Sequence, residues 1–374
     1  MSKSSRTFGF IVEVFQIFVV SMRMSDDLLS LHLATSSKIW LCIFVVGFSL
    51  STIVILLPLH LMVIGLFVCL LAYIKLPTPN PERVREILED LSYTRNAEVG
   101  SVVAHRAACL DAPENSLEAV REAAKNGAKW VEFDVSFTSD GVAVAFHDDT
   151  VDRVTSGSGL ISSLSLAQVA DLDLASKHPK SSDFNKTRIP TVEQFVDECL
   201  KNDMKLIIDL KTYTMPDETI DLLSKLYIKH PELKRNSIVT SFFPNLLYRL
   251  RSRHPDAVAA ISTRPYFLSC SSWEGTRASM RPRFPSLARQ LLAGAGDAVF
   301  SVLLDTLLWW VLGLSAVLVH RHVITREYVD TWRARGVTVM AWTVNCPVEK
   351  KFYRDVLKVP VLSDTMDHRQ PRQQ

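Results

Sequence analysis

Apolar residues are distributed along this chain in two contrasting ways. From residue 40 to residue 74 the sequence WLCIFVVGFSLSTIVILLPLHLMVIGLFVCLLAYI contains no Asp, Glu, Lys or Arg. A bilayer crossing needs about 20 apolar residues, and a soluble core helix of this length would carry charge on its solvent face. The pattern therefore predicts a transmembrane helix over residues 40–75, or a helical hairpin turning at Pro58. A shorter apolar run, residues 8–22, is interrupted by Glu13 and reads as an interfacial helix or disordered lead in preference to a short span, within an N-terminal lead, residues 1–39. Residues 76–98 read as a Pro-rich linker and a short amphipathic helix.

Beyond Gly100 the period changes. Short apolar runs at 101–104, 130–135, 142–146, 205–210, 237–241, 258–261, 337–343 and 359–362 predict strands. Helical patterns separate most of them, at 116–125, 191–202, 217–229, 243–253, 326–335 and 347–357. Strands joined by helices predict a parallel α/β sheet, and their number and spacing fit a TIM (βα)8 barrel over residues 99–367. The seventh predicted strand is preceded by a basic and hydrophobic insertion, 267–323, and residues 368–374 form a tail. Ala298–Val319 in that insertion has one charge, Asp305, and the hydropathy of a second span. A crossing there would part the last two strands from the first six. The expectation is therefore a helix or hairpin lying on the membrane with Trp309 and Trp310 at the interface, or a buried helix covering the barrel.

Charge and cysteine content narrow the class. Forty-two Lys and Arg against 40 Asp and Glu leave a net charge of +2, so no global basic field points to nucleic acid. Six cysteines without a C-x-x-C pair argue against a zinc ribbon or redox motif. Asn185-Lys186-Thr187 is a glycosylation acceptor pattern, expected on a luminal or extracellular domain.

The chemistry-bearing residues fall at strand ends. Glu132 and Asp134 are two apart on one strand and share a face; buried carboxylates need a cation. With Asp209, inside the strand LIIDLK, they form a hard-oxygen set suited to Mg²⁺ or Ca²⁺. The plainer reading is three barrel acids neutralised by Arg or Lys. His105 and His147 each end a strand and fit an acid/base pair working near neutral pH. Arg106 and Lys211 would cradle a phosphate, or serve as ion-pair partners.

The runs AHRAACLDAPENSLEAVREAAKNGA, VEFDVSFTSDGVAVAFHDDTVDRVTSGSG, IPTVEQFVDEC, LIIDLK, AWTVN and LSD closely resemble the glycerophosphodiester phosphodiesterase family. The membrane-anchored animal branch is the nearest likeness. That resemblance implies a TIM barrel and metal-dependent hydrolysis of glycerophosphodiesters to glycerol 3-phosphate and an alcohol, with glycerophosphoinositol or a glycerophospho-N-acylethanolamine as substrate type. It implies His105 and His147 as the acid/base pair, Glu132, Asp134 and Asp209 as metal ligands, and Arg106 and Lys211 as phosphate ligands. The glycerol hydroxyl beside the diester would be the first nucleophile, through a cyclic phosphate. Glu114 and Asn115 would support the site, unless they merely cap a helix. Two positions depart from the family pattern: Ala107 replaces a glycine, and Asp209 replaces a glutamate. Competing readings are a barrel enzyme of lysophospholipase D type acting on a lysophospholipid, and a catalytically impaired interaction protein.

Overall fold

The structure, a computed structural model, describes residues 29–91, 102–184, 186–212 and 214–366. It divides into two units at Tyr73/Ile74. In the first, one helix runs from Leu29 to Ile74 with Pro58 inside it, so the chain does not turn back at the proline. Its segment Leu56–Ile74 is long and apolar enough to cross a membrane. The apolar run 8–22, Asn185 and the tail 368–374 lie outside the described residues.

The second unit is built on a closed barrel. Eight parallel strands form it: β1 (Val102–Ala104), β2 (Trp130–Phe137), β4 (Lys205–Leu210), β5 (Ser237–Ser241), β6 (Ala259–Thr263), β9 (Ala316–His320), β10 (Thr338–Trp342) and β11 (Val361–Ser363). Closure comes from β1, which pairs with β2 on one side and β11 on the other. Two expectations about the strands change. The run at 142–146 forms β3 (Ala143–Ala145), which pairs antiparallel with β2 and stands outside the barrel. The turn Ser139–Gly141 is too short to carry a parallel crossover. The missing barrel strand is β9, hidden in the second half of the apolar stretch 298–319. The insertion 267–323 thus contains the sixth barrel strand, and β10, which follows it, is the seventh.

Alternation along β2 shows how the barrel separates its two cores. Val131, Phe133, Val135 and Phe137 pack outward against the helices. Trp130 faces inward with Val103, Ile207, Ile238 and Leu362; Glu132 and Asp134 share its face and lie nearer the strand's C-terminal end. Helix Pro81–Leu91, the short helix expected in 76–98, closes the N-terminal end by inserting Ile87, Leu88 and Leu91 into that inner core. Trp130 Nε1 donates to Asp90 (2.9 Å), and Lys205 Nζ pairs with the same carboxylate (3.0 Å). The N-terminal end is thus filled by apolar side chains, and Glu132 and Asp134 lie toward the other end.

The wall helices start where their sequences say. Ser116 caps Leu117–Lys125, accepting the Ala119 N–H. Thr191 and Gln194 make a reciprocal capping box for Val192–Lys201. Pro216 and Pro244 occupy first-turn positions of Pro216–Lys229 and Pro244–Arg253, where no N–H is needed. In the insertion, a two-stranded hairpin of β7 (Cys270–Ser272) and β8 (Arg281–Pro282) precedes a helix, Leu287–Val311, with a π-helical turn at Leu304–Leu308. Trp309 is half-buried against Trp332, ring centroids 6.5 Å apart, with the Arg335 guanidinium 5.4 Å from its ring.

Candidate active site

Every barrel strand delivers its last inward residue to one end, and seven residues expected from the sequence converge there. Asp134 and Asp209 are register partners on β2 and β4. With Glu132 they offer one carboxylate oxygen each, all within 4.8 Å of one another. All three are at least 95% buried, at 3%, 1% and 5% exposure for Glu132, Asp134 and Asp209. Lys211, just past the end of β4, donates to Asp209 Oδ2 (2.5 Å) and lies 3.1 Å from Asp134 Oδ1. Arg106 sits between Glu114 (3.2 Å) and Asp134 (3.7 Å), and its backbone N–H donates to Glu132 Oε2 (2.9 Å).

Three buried acids against Lys211 and Arg106 leave a surplus of negative charge, and the proton affinities show where it falls. Burial, with Asp134 and Asp209 alongside, pushes the Glu132 carboxyl up to about 7. Burial raises Asp209 too, although Lys211 opposes it. At Asp134 burial is outweighed by Lys211, His147 and Arg106, which hold its carboxyl well below the usual range. Asp134 Oδ1 and Asp209 Oδ1 are buried without a hydrogen bond, the former touching Lys211 only as an ion pair. Orphaned carboxylate oxygens in a cluster that retains a proton near neutrality are what a divalent-cation site of hard ligands presents before loading. The shorter Asp209 still reaches the cluster, because its strand stands in register with β2.

The two histidines are held in different settings. His105 is anchored through Nδ1 to Asp364 Oδ1 (2.6 Å), with Nε2 3.8 Å from Glu132. Burial disfavours its protonation, but Glu132 and Asp364 outweigh burial and raise its pKa above 6.5. His147 is anchored through Nδ1 to Asp148 (2.6 Å). Burial, with Lys211 and Arg106 adding to it and Asp134 opposing, lowers its pKa below 6.5. Opposite shifts in two histidines beside one acid cluster are how one fold keeps an acid and a base ready at one pH.

Supporting residues come from loops. Glu114 does not cap a helix. It accepts from Arg106 and, through both oxygens, from Arg153 (2.9 and 2.7 Å), which also holds Asp148. Asn115 donates from Nδ2 to Asp134 Oδ2 (2.9 Å); the cap itself is Ser116. Asp364, Asp148 and Arg153 were not among the residues expected at the site. Their signal was weak but present: Asp364 directly follows the last strand, and Asp148 directly follows His147. Asn345 donates to Asp364 Oδ2 (2.7 Å) and accepts its N–H (2.8 Å). His105, Cys109 and Asp364 also lie within metal-ligand reach of one another. There, however, His105 Nδ1 and the Cys109 thiol both meet the same Asp364 oxygen, and burial raises the thiol's pKa. The cluster positions His105 rather than binding a cation.

Ala107 occupies a left-handed turn, with φ of 49°, 61° and 65° at Arg106, Ala107 and Ala108. Glycine would remove about 1–2 kcal/mol of strain at such a position. Ala107 is also fully buried among core residues, and deleting its methyl loses about 0.8 kcal/mol plus a cavity contribution. The two effects nearly cancel. Ala107→Gly is therefore expected to change unfolding free energy by less than about 1 kcal/mol. Ala107→Val, β-branched at positive φ, is expected to cost about 2 kcal/mol or more. Thermal melts of both variants check this; a Gly variant many degrees more stable would show that the native turn is strained without compensation.

Residues 105–368 match the Glycerophosphoryl diester phosphodiesterase family. Over 266 residues, 71% of this chain and 78% of the relative, the chain is 39% identical to Glycerophosphodiester phosphodiesterase 1 of Bos taurus. Identity to the Homo sapiens protein of that name is 36% over the same length and shares of each chain. Among solved structures, a phosphodiesterase of Oleispira antarctica in complex with the product sn-glycerol-3-phosphate is similar at a TM-score of 0.55. It is 26% identical, and the match covers 70% of this chain and 92% of that one.

Proposed function

Since this chain belongs to the glycerophosphoryl diester phosphodiesterase family and is a glycerophosphodiester phosphodiesterase, we propose that it is a membrane-anchored, divalent-metal-dependent hydrolase. Its products on this reading are glycerol 3-phosphate and an alcohol, with the barrel on the luminal or extracellular side. The observation that carries the reading is the meeting of an oxygen trio with two oppositely tuned histidines. A catalytically impaired interaction protein does not fit that arrangement.

In the proposed reaction, Glu132, Asp134 and Asp209 hold Mg²⁺ or Ca²⁺, which when bound polarises a phosphoryl oxygen. Lys211 and Arg106 stand at the trio to receive the other phosphate oxygens. His147, neutral and with Nδ1–H directed to Asp148, presents Nε2 as a base to the glycerol hydroxyl beside the diester. That hydroxyl attacks phosphorus, forming a cyclic phosphate. His105, charged and fixed by Asp364, protonates the departing alkoxide. Water then opens the cyclic phosphate as the two histidines exchange roles, leaving glycerol 3-phosphate. The Oleispira antarctica relative was solved with that product.

The reading is tested by metal-dependent release of glycerol 3-phosphate from glycerophosphoinositol and from a glycerophospho-N-acylethanolamine. Absence of turnover with any divalent ion would sink it. A glycosidase-induced mobility shift that vanishes in Asn185→Gln checks the luminal side.

The site also sets a pH profile. kcat/KM should rise with pH as His147 deprotonates below pH 6.5 and fall as His105 loses its proton above it. Asp364→Asn weakens the hold on the His105 proton. It is expected to move the alkaline limb to lower pH and lower kcat by about 10–100-fold. An unmoved limb would remove Asp364 from this positioning role.

A further inference from the structure

We propose that the outer face of helix Leu287–Val311 seats the active-site mouth on an anionic lipid surface without crossing it. The inference rests on the phosphodiesterase reading above and concerns how its site meets its substrate.

At 25 residues the helix is long and apolar enough to cross a membrane. Yet it lies between β6 and β9, which are paired from Ala260↔Ala316 to Thr263↔Val319. A crossing would place two hydrogen-bonded strands on opposite sides of a bilayer. The helix must instead run from the C-terminal end of β6 back to the N-terminal end of β9, alongside the barrel. Its far end is packed, with Leu304 and Val311 buried. Its first part, Leu287–Leu303, contains no buried residue and begins at the catalytic end.

That first part has two faces. The inner one holds the hairpin flap: Asp297 accepts from the Leu268 and Ser269 N–H groups (2.7 and 3.0 Å), and Gln290 donates to Ser269 O (2.8 Å). The outer one exposes Leu291, Leu292, Val299 and Val302 at 58–74%, spaced to share a helix side. Asp297 is the one ionisable residue between Gln290 and Leu304, and it is turned to the flap. Within residues 264–289, Arg277, Arg281, Arg283 and Arg289 are exposed against one exposed acid, Glu274. An apolar face with a cationic rim complements a leaflet bearing anionic headgroups.

The seat lies close to the chemistry. Arg264 and Arg283 knit the flap by donating to its own carbonyls, including Cys270 O from both. The flap presents Phe267, stacked on Phe242 at 4.6 Å, and Phe242 lies 5.4 Å from Lys211 Nζ. An alcohol carrying an acyl chain could thus approach Lys211 from the leaflet along aromatic side chains.

Depth measurement on the full-length protein tests the seat. A fluorescent side chain introduced at position 291, 299 or 302 is read in vesicles of phosphatidylcholine and phosphatidylserine, with quenching by lipids brominated at set depths. All three positions should report one shallow depth, about 5–10 Å into the headgroup and acyl boundary. A graded depth through the bilayer centre, or no quenching by lipid, overturns the proposal. So does burial that appears only as the protein is concentrated, which would identify a second copy as the occupant. The paired variant Leu292→Asp/Val299→Asp should raise KM for a vesicle-embedded lysophospholipid by about tenfold. Turnover of soluble glycerophosphoinositol should be unchanged. Equal KM values for the embedded substrate in native and variant proteins also overturn the proposal. If the native chain hydrolyses neither substrate, the phosphodiesterase reading fails, while the depth profile still decides the seat.

Discussion

His147→Ala is expected to lower kcat by about 10²–10⁴-fold, the range for loss of a positioned proton-transfer group, while leaving the fold intact. The side chain is 30% exposed, so its removal opens no core cavity. Asp148 keeps its contacts to Arg153 Nε and Nη2 (2.6 and 3.1 Å), so no buried charge is orphaned. Melting temperature should move by no more than a few degrees. Imidazole in the assay should restore part of the rate, since the vacated space opens to solvent. Full activity in the alanine variant would show that His147 is not the base; a collapse in stability would make the rate loss uninformative about its role.

Removal of metal should abolish turnover, and Glu132→Gln should do so by a separable route. With the Glu132 carboxyl pushed up to about 7, the metal-free protein already carries a proton on this group much of the time near neutrality. Glutamine copies that neutral form and can still accept the Arg106 N–H. Metal-free Glu132→Gln should therefore melt at or slightly above the native protein. What it should lose is the rise in melting temperature on adding Mg²⁺ or Ca²⁺, which is about 2.7 kcal/mol at 100 times Kd for a site that binds only the folded state, together with at least about 10²-fold of activity. The pH dependence carries a defined sign. Glu132 titrates near 4.5 when unfolded and near 7 when folded, so the folded state binds more protons in that window. The metal-free protein should lose this contribution to stability as pH rises from about 4.5 to about 7. Asp134, Asp148 and Asp364 are shifted the other way, and their contributions are lost on acidification below about 4. Calorimetry with and without metal across that range reads both. A Glu132→Gln protein that still gains stability from the cation would remove Glu132 from the ligand set.

Much of this molecule was legible from local pattern. The uncharged run at 40–74, the strand–helix alternation and the same-face spacing of Glu132 and Asp134 all follow from periodicities of one or two turns or pleats. His105, His147 and Lys211 stand at strand ends, and a parallel barrel must bring strand ends together. Local pattern failed at residues 298–319. An apolar helix half and an apolar barrel strand run on without a break in hydropathy, because both are covered on at least one side. Only the pairing of Ala316–His320 with β6 and β10 separates them. The same limit explains β3, whose apolar run is as strand-like as any in the barrel but whose short turn makes it antiparallel to β2.

By itself, then, the chain determined its elements, its barrel class and the chemical types gathered at one end, since these depend on side-chain volume, polarity and period. The tertiary structure decided which acids share an oxygen cluster, in which direction each histidine's pKa is shifted, and that Asp364, some 260 residues from His105, holds it in place. Those outcomes depend on through-space distances of a few ångströms and on burial, which set the balance of desolvation against charge. No spacing along a sequence encodes that balance until the barrel closes.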